Sequence, residues 1–279
     1  MKLSYLNIHP LLKKYGIRPK KSLGQNFLTE PAGLNKVIEA AQLEAEDEVL
    51  EIGAGLGSLT YLLAQLTRKV IAVEIDRLML KPLEEALESF SNVQVIEGDI
   101  LSLPPDQLVK SQNYVVVANI PYYISSAIIR HLMEAQNRPR RVVLTVQKEV
   151  AERVLARDGK MSLLSLSVQV FGEVSIAGVI PAGSFLPAPE VDSAVLKIEL
   201  YPEPLVPLNQ QDIFFKLAHA GFSQKRKTLR NSLAGGLGIS GGEVEKLLSD
   251  TGIDPQRRAE TLSILDWNRL TQTWLARPV

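Results

Sequence analysis

The stretch VLEIGAGLGSLTYLLAQ, residues 49–65, places an apolar, strand-like run before three alternating glycines and a helical pattern. Glycines let the backbone adopt positive φ and pass close to a ligand, and the start of the following helix offers free N–H groups. This order of strand, glycine loop and helix predicts a nucleotide-binding turn in an α/β protein.

Strand-like and helix-like runs alternate after this turn. The predicted strands are Val49–Ile52, Val70–Glu74, Val93–Glu97, Tyr114–Asn119 and Val142–Val146, and the predicted helices are Ser58–Gln65, Arg77–Glu88, Ser125–Glu134 and Lys148–Arg157. Repeated βα units of this length predict a parallel sheet with helices on both faces. Two further strands, Glu173–Val179 and Ala194–Leu200, have no helix between them, which indicates an antiparallel hairpin at a sheet edge.

The two ends of the chain differ from this middle part. Residues 1–29 hold six basic and no acidic side chains, which predicts a basic arm, and a helix is expected from Thr29 through about Gln42. Near the other end, a proline-rich segment precedes short helices that we expect to be broken by Gly235-Gly236 and Gly241-Gly242. The predicted division is an arm over 1–29, an α/β domain over 30–201 and a helical domain over 202–279.

Composition excludes several kinds of site. There is no cysteine, so disulfides, thiolate metal sites and a cysteine nucleophile are excluded. His9, His131 and His219 lie far apart and lack metal-ligand spacing, so no metal is expected. The first residues lack the apolar core of a signal peptide, and no run reaches the ~18 apolar residues of a membrane helix. We therefore expect a soluble, cytoplasmic protein with no membrane contact.

The net charge is zero, with 31 basic and 31 acidic side chains, but the charges are segregated. Besides the arm, residues 213–242 carry five basic and no acidic side chains. A neutral chain with segregated charge can present a positive face to phosphates. Solvated basic loops explain the charge pattern equally well.

Acidic residues after successive strands indicate which ligand the glycine loop binds. A dinucleotide-binding loop requires its third glycine where this chain has Ser58, so the fit to a pyrophosphate is poor. The spacing of Gly53, Gly55 and Gly57 instead suits a ligand without phosphates, such as S-adenosylmethionine. Glu74 is placed to accept hydrogen bonds from both ribose hydroxyls, and Asp99 from the adenine amine. A simple tight turn would explain the glycines but not the acids.

The tetrapeptide Asn119-Ile120-Pro121-Tyr122 ends the predicted fourth strand. Adenine N6 is a poor nucleophile because its lone pair is delocalised into the ring. The Asn119 side-chain oxygen and the Ile120 carbonyl can accept the two amine hydrogens, while Pro121 fixes the turn. Tyr122 can stack on the base, a contact worth ~1–3 kcal/mol. These residue types predict amino methylation of a nucleic-acid base, and a turn that merely caps the strand is the plainer alternative.

Four motifs resemble those of the rRNA adenine N6,N6-dimethyltransferase family: Lys20–Leu28, Asn119–Tyr122, Gln147–Arg153 and Phe185–Ser193. The matches run from about residue 19 to 233 and are very specific together. The resemblance implies a Rossmann-like class I S-adenosylmethionine-dependent methyltransferase sheet with a small all-helical C-terminal domain. It also implies a monomer that dimethylates two adjacent adenosines in a hairpin loop near the 3′ end of 16S rRNA, in the small (30S) ribosomal subunit or its precursor.

Carried over by position, the resemblance implies the following site. Cofactor contacts fall on Asn26, Leu28, Gly53, Gly55, Gly57, Glu74, Asp99 and Asn119, and the catalytic group is Asn119, Pro121, Tyr122 and Phe185. Phe185 matches the ring that would sandwich the target base opposite Tyr122. The prolines around it predict an exposed, stiffened loop in preference to an ordinary core position.

The segment Phe222–Arg230 resembles a basic helix start that contacts the rRNA backbone and gives positioning without sequence reading. The predicted RNA-binding residues are Lys20, Lys21, Lys225, Arg226, Lys227 and Arg230. Two positions depart from the family pattern: Tyr123 replaces a common asparagine, and Lys160-Met161-Ser162 replaces an aromatic-glycine pair.

Three other functions stay open. A related large-subunit rRNA methyltransferase that confers antibiotic resistance shares the main motifs, although the Phe222–Arg230 segment and the helical C-terminal part favour the small-subunit enzyme. A non-catalytic assembly or transcription factor on the same fold would not need the intact set of glycine, acid and amide residues. A nicotinamide oxidoreductase is disfavoured by Ser58.

Overall fold

The computed structural model describes residues 3–20, 23–157 and 159–277, so the predicted RNA-binding residue Lys21 lies outside the described residues. The strands are β1 (Phe27–Leu28), β2 (Glu48–Ile52), β3 (Lys69–Glu74), β4 (Val93–Glu97), β5 (Val115–Asn119), β6 (Arg141–Gln147), β7 (Gly172–Ile180), β8 (Phe185–Leu186) and β9 (Ser193–Leu200). The helices are α1 (His9–Tyr15), α2 (Pro31–Ala41), α3 (Ser58–Leu66), α4 (Arg77–Ala86), α5 (Pro105–Leu108), α6 (Ser125–Met133), α7 (Lys148–Leu155), α8 (Leu163–Gln169), α9 (Leu208–Phe222), α10 (Leu229–Leu237), α11 (Gly241–Asp250) and α12 (Ile264–Leu275).

Seven strands form one sheet in the order β4-β3-β2-β5-β6-β9-β7. The pairs from β4 to β6 are parallel, and β9 pairs antiparallel with β6. The predicted mostly parallel sheet is therefore confirmed. The chain moves outward from β2 to β4 and then returns to β5 on the other side of β2. At this reversal, the carboxyl ends of neighbouring strands leave a crevice in which α/β proteins bind ligands.

Apolar residues that are buried on both faces of the sheet explain why its central strands form. The apolar residues Val49, Leu50 and Ile52 of β2 are buried, as are Val115–Ala118 of β5 and all of Val142–Val146 of β6 except the polar Thr145, which is buried as well. Such continuous runs are typical of parallel strands that are covered by helices on both sides. Every helix and strand that we predicted between residues 49 and 157 is present, with ends within two residues of the prediction.

The described residues fall into two compact units, one within Met1–Ala151 and Val174–Leu200 and the other within Glu152–Glu173 and Tyr201–Val279. The first unit holds most of the sheet, and the second contains helices α8 to α12. The predicted domain boundaries stay a prediction. No helix in the described ranges is long and apolar enough to cross a bilayer.

The segment predicted as a basic arm contains α1 and β1, and its apolar residues pack into the first unit. Ile8 and Phe27 are buried in a cluster with Leu56 of the glycine loop and Met79 of α4. Strand β1 also pairs antiparallel with β8. The segment therefore forms one wall over the glycine loop, an arrangement that its charge alone did not indicate.

The expectation that Gly235-Gly236 breaks a helix is wrong. Both glycines lie inside α10, which continues to Leu237. A Cβ atom on Gly236 would lie only 2.6 Å from the Cα atom of Ala220 in α9. The glycine therefore allows α9 and α10 to approach closely, and this packing outweighs its low helix propensity.

Gly236→Ala is expected to lower the free energy of unfolding by about 1–2 kcal/mol, because the added methyl group forces the two helices apart. The matched control is Gly242→Ala in the first turn of α11, where an added Cβ would meet only the Ser240 hydroxyl, at 4.0 Å. Urea unfolding of both variants measures the difference. Equal stability of the two variants would show that close packing does not require this glycine.

Candidate active site

A single cleft lies at the carboxyl ends of β2 to β5 and encloses about 1050 Å³ of empty space, including its open mouth. Its lining contains most of the predicted site residues: Asn26, Leu28, Gly53, Gly55, Glu74, Asp99, Asn119, Pro121 and Tyr122. Among the predicted cofactor-binding and catalytic residues, Gly57 and Phe185 are the two that are not part of this lining. The sheet and the N-terminal segment together thus bring into one cleft residues that are up to 96 positions apart in the sequence.

The glycine loop curls over the carboxylate of Glu74. Gly53 and Gly55 have φ of 75° and 58°, a conformation that side chains with a Cβ rarely adopt. This geometry directs the Gly55 N–H to Glu74 Oε2 at 2.7 Å, while Glu74 Oε1 accepts from the Asp76 N–H at 2.8 Å. Backbone donors thus fix both carboxylate oxygens, and each oxygen keeps a second lone pair for a ligand.

Gly57 serves helix packing. It stands at the start of α3 with φ of 88°, and a Cβ there would lie 2.9 Å from Leu83 Cδ1 of α4. Its lack of a side chain therefore lets α4 approach the loop. The third glycine of the motif supports the site through this contact, although it does not face the cleft.

The cleft carries acidic charge. Glu51, Glu74 and Asp99 all line it, and no Lys, Arg or His side chain is among the described residues of its lining. A phosphate group would meet repulsion from Glu74 and Asp99, whereas a cationic ligand would be attracted. The described residues contain no cluster of three or more His, Asp or Glu side chains arranged to hold a metal ion.

Glu51 is the most deeply buried of these acids. Its side chain is 1% exposed at the end of β2, and Oε2 has no hydrogen-bond partner among the described residues. Burial raises the pKa of its carboxyl to about 8, and the nearby negative charge of Glu74 adds to the shift. No role was predicted for Glu51, although its place two residues before the first glycine was a usable signal.

A hydrogen bond from the arm orients the Asn119 side chain. Asn119 Nδ2 donates to the backbone carbonyl of Asn26 at 2.9 Å, and the Asn26 side chain in turn donates to the Gly24 carbonyl. Since the amide nitrogen is occupied in this way, the oxygen is the group that Asn119 can offer to a ligand in the cleft. Gly53 lies close to the backbone of Asn119: a Cβ atom on Gly53 would be 3.7 Å from the backbone carbonyl oxygen of Asn119.

Tyr122 is held from the far side by Ser193, the first residue of β9. The two hydroxyl oxygens lie 2.7 Å apart, and the Ser193 side chain is fully buried. Burial also raises the pKa of the Tyr122 phenol, so its hydroxyl stays protonated at neutral pH. Ser193 received no role from the sequence, although it ends one of the motifs that carried the family resemblance.

The prediction that Phe185 lies in an exposed loop is wrong. Its side chain is only 4% exposed and packs in a core cluster with Leu28 and Leu34. Strand β8, which contains Phe185, pairs with β1, so the flanking prolines stiffen a paired strand and not a free loop. Its predicted stacking on a base stays a prediction.

The predicted RNA-binding residues occupy different settings. Lys225, Arg226 and Lys227 are exposed in the turn before α10, while Arg230 pairs with Glu245 at 2.6 Å. Lys20 pairs with the buried carboxylate of Asp76 at 2.9 Å. Burial alone would raise the pKa of Asp76, but hydrogen bonds from Lys20 and Gln25 outweigh it and hold the pKa below its ordinary value. The ion pair therefore ties the arm to the loop after β3.

Glu51→Gln is expected to alter the pH dependence of stability. The folded-state pKa of Glu51 lies above its ordinary value of 4.5, so its contribution to stability is full below pH 4.5 and is lost as pH rises towards 8. The variant does not titrate there and should gain stability over the wild type by roughly 3 kcal/mol between pH 5 and pH 8. Urea unfolding at several pH values measures this gain. Glu88→Gln, which changes an exposed carboxyl, is the control, and a gain of the same size in it would contradict the assignment to Glu51.

Ser193→Ala is expected to lower the free energy of unfolding by about 1–3 kcal/mol, because the half-buried Tyr122 hydroxyl loses its partner. Tyr122→Phe removes the other half of the pair, and the double variant should cost less than the sum of the single changes. Thermal unfolding measures all three, with Ser102→Ala, an exposed serine of the same unit, as control. Strict additivity would mean that the two hydroxyls do not interact.

Comparisons with known proteins agree with this geometry. A family model described as ribosomal RNA adenine dimethylase matches residues 16–275. Ribosomal RNA small subunit methyltransferase A of Dehalococcoides mccartyi strain CBDB1 is 44% identical over 269 residues, which cover 96% of this chain and 92% of the relative.

Solved structures show the same architecture. A dimethyladenosine transferase from Plasmodium falciparum matches with a TM-score of 0.75 and 30% identity, over 88% of this chain and 95% of that one. The 23S rRNA methyltransferase ErmE matches with a TM-score of 0.71 and 27% identity, over 89% of this chain and 99% of that one. The predicted class I methyltransferase fold with a helical C-terminal region is confirmed. The chain belongs to the ribosomal RNA adenine dimethylase family and is a methyltransferase.

Proposed function

We propose that the protein transfers methyl groups from S-adenosylmethionine to N6 of two adjacent adenosines in a hairpin loop near the 3′ end of 16S rRNA, giving N6,N6-dimethyladenosines. The substrate is the small (30S) ribosomal subunit or its precursor, and the role is in ribosome biogenesis. One observation carries the proposal: the Asn119 amide lies in the same acidic cleft as the glycine loop and Glu74. The name and close similarity of the Dehalococcoides relative support the choice of rRNA.

The lining of the cleft fits the proposed methyl donor. S-adenosylmethionine supplies a methyl group on a positively charged sulfonium, which is already a good leaving group. The acidic lining favours such a cation, and Glu74 has lone pairs free for the ribose hydroxyls. Asp99, which follows the neighbouring strand β4 and lines the cleft, is the proposed acceptor for the adenine amine. Asn26, Leu28, Gly53 and Gly55 complete the proposed binding residues.

The tetrapeptide supplies the groups that would activate the target amine. The Asn119 oxygen and the backbone carbonyl of Ile120 accept hydrogen bonds from the N6 hydrogens, which draws the lone pair out of the ring. Pro121 fixes the turn, and the ring of Tyr122, held by Ser193, offers a face for stacking. Fixed acceptors cost no reorganisation during the reaction. The proton that the methylated amine has to lose can pass to water, so no acid or base with a shifted pKa is required.

The target adenosine has to leave its stack to reach this cleft, so the proposal includes base flipping.

The exposed Lys225, Arg226 and Lys227 are suited to contact rRNA phosphates and position the substrate. Arg230 and Lys20 are weaker candidates because both already pair with carboxylates. The proposed enzyme acts as a monomer, in the cytoplasm where ribosomal subunits are assembled.

The alternative functions fit less well. A nicotinamide dinucleotide would place its pyrophosphate in the cleft that Glu74 and Asp99 line, where these carboxylates would repel it. A non-catalytic factor would not need the Asn119 amide aligned by Asn26 in a shared cleft. Methylation of 23S rRNA is supported by the likeness to ErmE at 27% identity, which is weaker than the 44% identity to a relative named for the small subunit.

Asn119→Ala is expected to reduce methyl transfer by about 10²–10³-fold, because it removes one fixed acceptor from the target amine. Tritium transfer from labelled S-adenosylmethionine to unmethylated small subunits measures the rate, and calorimetry measures donor binding. Asn113→Ala, an exposed asparagine outside the cleft, is the matched control. Transfer by the Asn119 variant at the wild-type rate would remove this residue from the mechanism.

Primer extension on both rRNAs after the reaction locates the product, since dimethylation at N6 stops reverse transcription. Two adjacent stops near the 3′ end of 16S rRNA are the expected result. Stops in 23S rRNA alone would transfer the assignment to the large subunit. If calorimetry detects no binding of S-adenosylmethionine to the wild type, the non-catalytic alternative is favoured.

A further inference from the structure

Tyr123 is an exposed aromatic ring on the lining of the cleft, and the proposed chemistry gives it no role. Its side chain is 65% exposed, although it directly follows the half-buried Tyr122. Exposure of a large ring at a ligand cleft leaves a flat apolar surface in water. Such a surface is well suited to stack on a nucleobase.

The other aromatic rings near the cleft are occupied by the protein itself. Phe27 is buried against Leu56 and Met79, and Phe185 is buried in the core. Tyr122 is half-buried, and its hydroxyl is bonded to Ser193. Among the described residues that line the cleft, Tyr123 is thus the aromatic with a mostly free ring.

The local backbone separates the directions of the two tyrosines. Residues Tyr122–Ile124 form one turn of 3₁₀ helix. Because this helix has three residues per turn, successive side chains point about 120° apart. Tyr122 is turned inward to Ser193, so Tyr123 is directed away from it and cannot cover the same base from the same side.

One edge of the Tyr123 ring is fixed by the arm. A Cβ on Gly24 would lie 3.3 Å from Tyr123 Cε1 and 3.1 Å from Pro121 Cβ, so the ring and the proline pack beside this glycine. Gly24 has φ of 62°, and its carbonyl accepts a hydrogen bond from Asn26. The ring is therefore held at the mouth of the cleft while most of its surface stays accessible.

We propose that Tyr123 is a second base-contacting residue, which stacks on the nucleobase next to the adenosine that occupies the cleft. The inference rests on the proposed function, because it requires an RNA substrate that presents its target adenosine to Asn119. Stacking of the neighbouring base on Tyr123 at the mouth of the cleft keeps the RNA strand in place while Tyr122 stacks on the target adenosine. Two adjacent target adenosines would use this surface in turn.

The test compares Tyr123→Leu, which keeps an apolar side chain without a ring, with Tyr123→Phe, which keeps the ring. Tyr123→Leu is expected to raise the KM for unmethylated small subunits about tenfold, since loss of one stacked base typically weakens binding by that amount or more. Its kcat should stay within threefold of the wild type, and Tyr123→Phe should stay within twofold in both constants. Tyr5→Leu is the matched control, because Tyr5 is an exposed tyrosine that does not line the cleft.

Calorimetry of S-adenosylmethionine binding distinguishes two roles of the Tyr123 ring: stacking on a base of the RNA, and packing against Gly24 to shape the cleft. Stacking predicts an unchanged Kd for the donor in Tyr123→Leu, whereas loss of a packing contact that shapes the cleft would weaken donor binding as much as RNA binding. A KM within twofold of the wild type, or an equal loss of donor affinity, overturns the inference and leaves the proposed function standing. Absence of methyl transfer by the wild type overturns both.

Discussion

The parallel arrangement of β2, β3, β4 and β5 is the constraint on which the site depends. Parallel strands end at the same edge, so the residues that follow them meet however far apart they lie in sequence. The glycine loop, Glu74, Asp99 and Asn119 occupy four such ends. The burial of both sheet faces fixes the strand register, and the register in turn fixes the distance between the carboxylates and the amide.

The sheet positions these groups, but contacts from outside it orient them. The arm supplies the carbonyl that aligns the Asn119 amide and the lysine that pairs with Asp76. Strand β9 supplies the hydroxyl that holds Tyr122. The first contact leaves the Asn119 side-chain oxygen for the cleft, and the other two fix the loop after β3 and the position of the Tyr122 ring. The chemistry of the cleft therefore depends on elements at both ends of the first unit, while the core strands act as a rigid frame.

Local sequence patterns were enough to predict the alternating strands and helices, the shared edge, and the glycines, acids and tetrapeptide that line the cleft, because period and turn chemistry are local properties. Asn26 and Leu28 were predicted only through the family resemblance. Local patterns failed where contacts between residues far apart in the sequence determine the structure. Phe185 is buried because β8 pairs with β1, and Gly236 stays in a helix because Ala220 of the neighbouring helix packs against it. The partners Ser193 and Asn26 lay in recognised motifs, but no local signal indicated which atoms they would contact. Tertiary contacts of this kind override propensity.

The pairing of β1 with β8 also has a consequence for protein synthesis. Phe27 and Leu28 are made early, yet their strand partner is made only when translation reaches Phe185 and Leu186. Until then the apolar side chains of the nascent N-terminal segment lack part of their native cover, and contacts this far apart in sequence form slowly. The growing chain consequently carries the N-terminal wall of the cleft without its strand partner until Leu186 has been made.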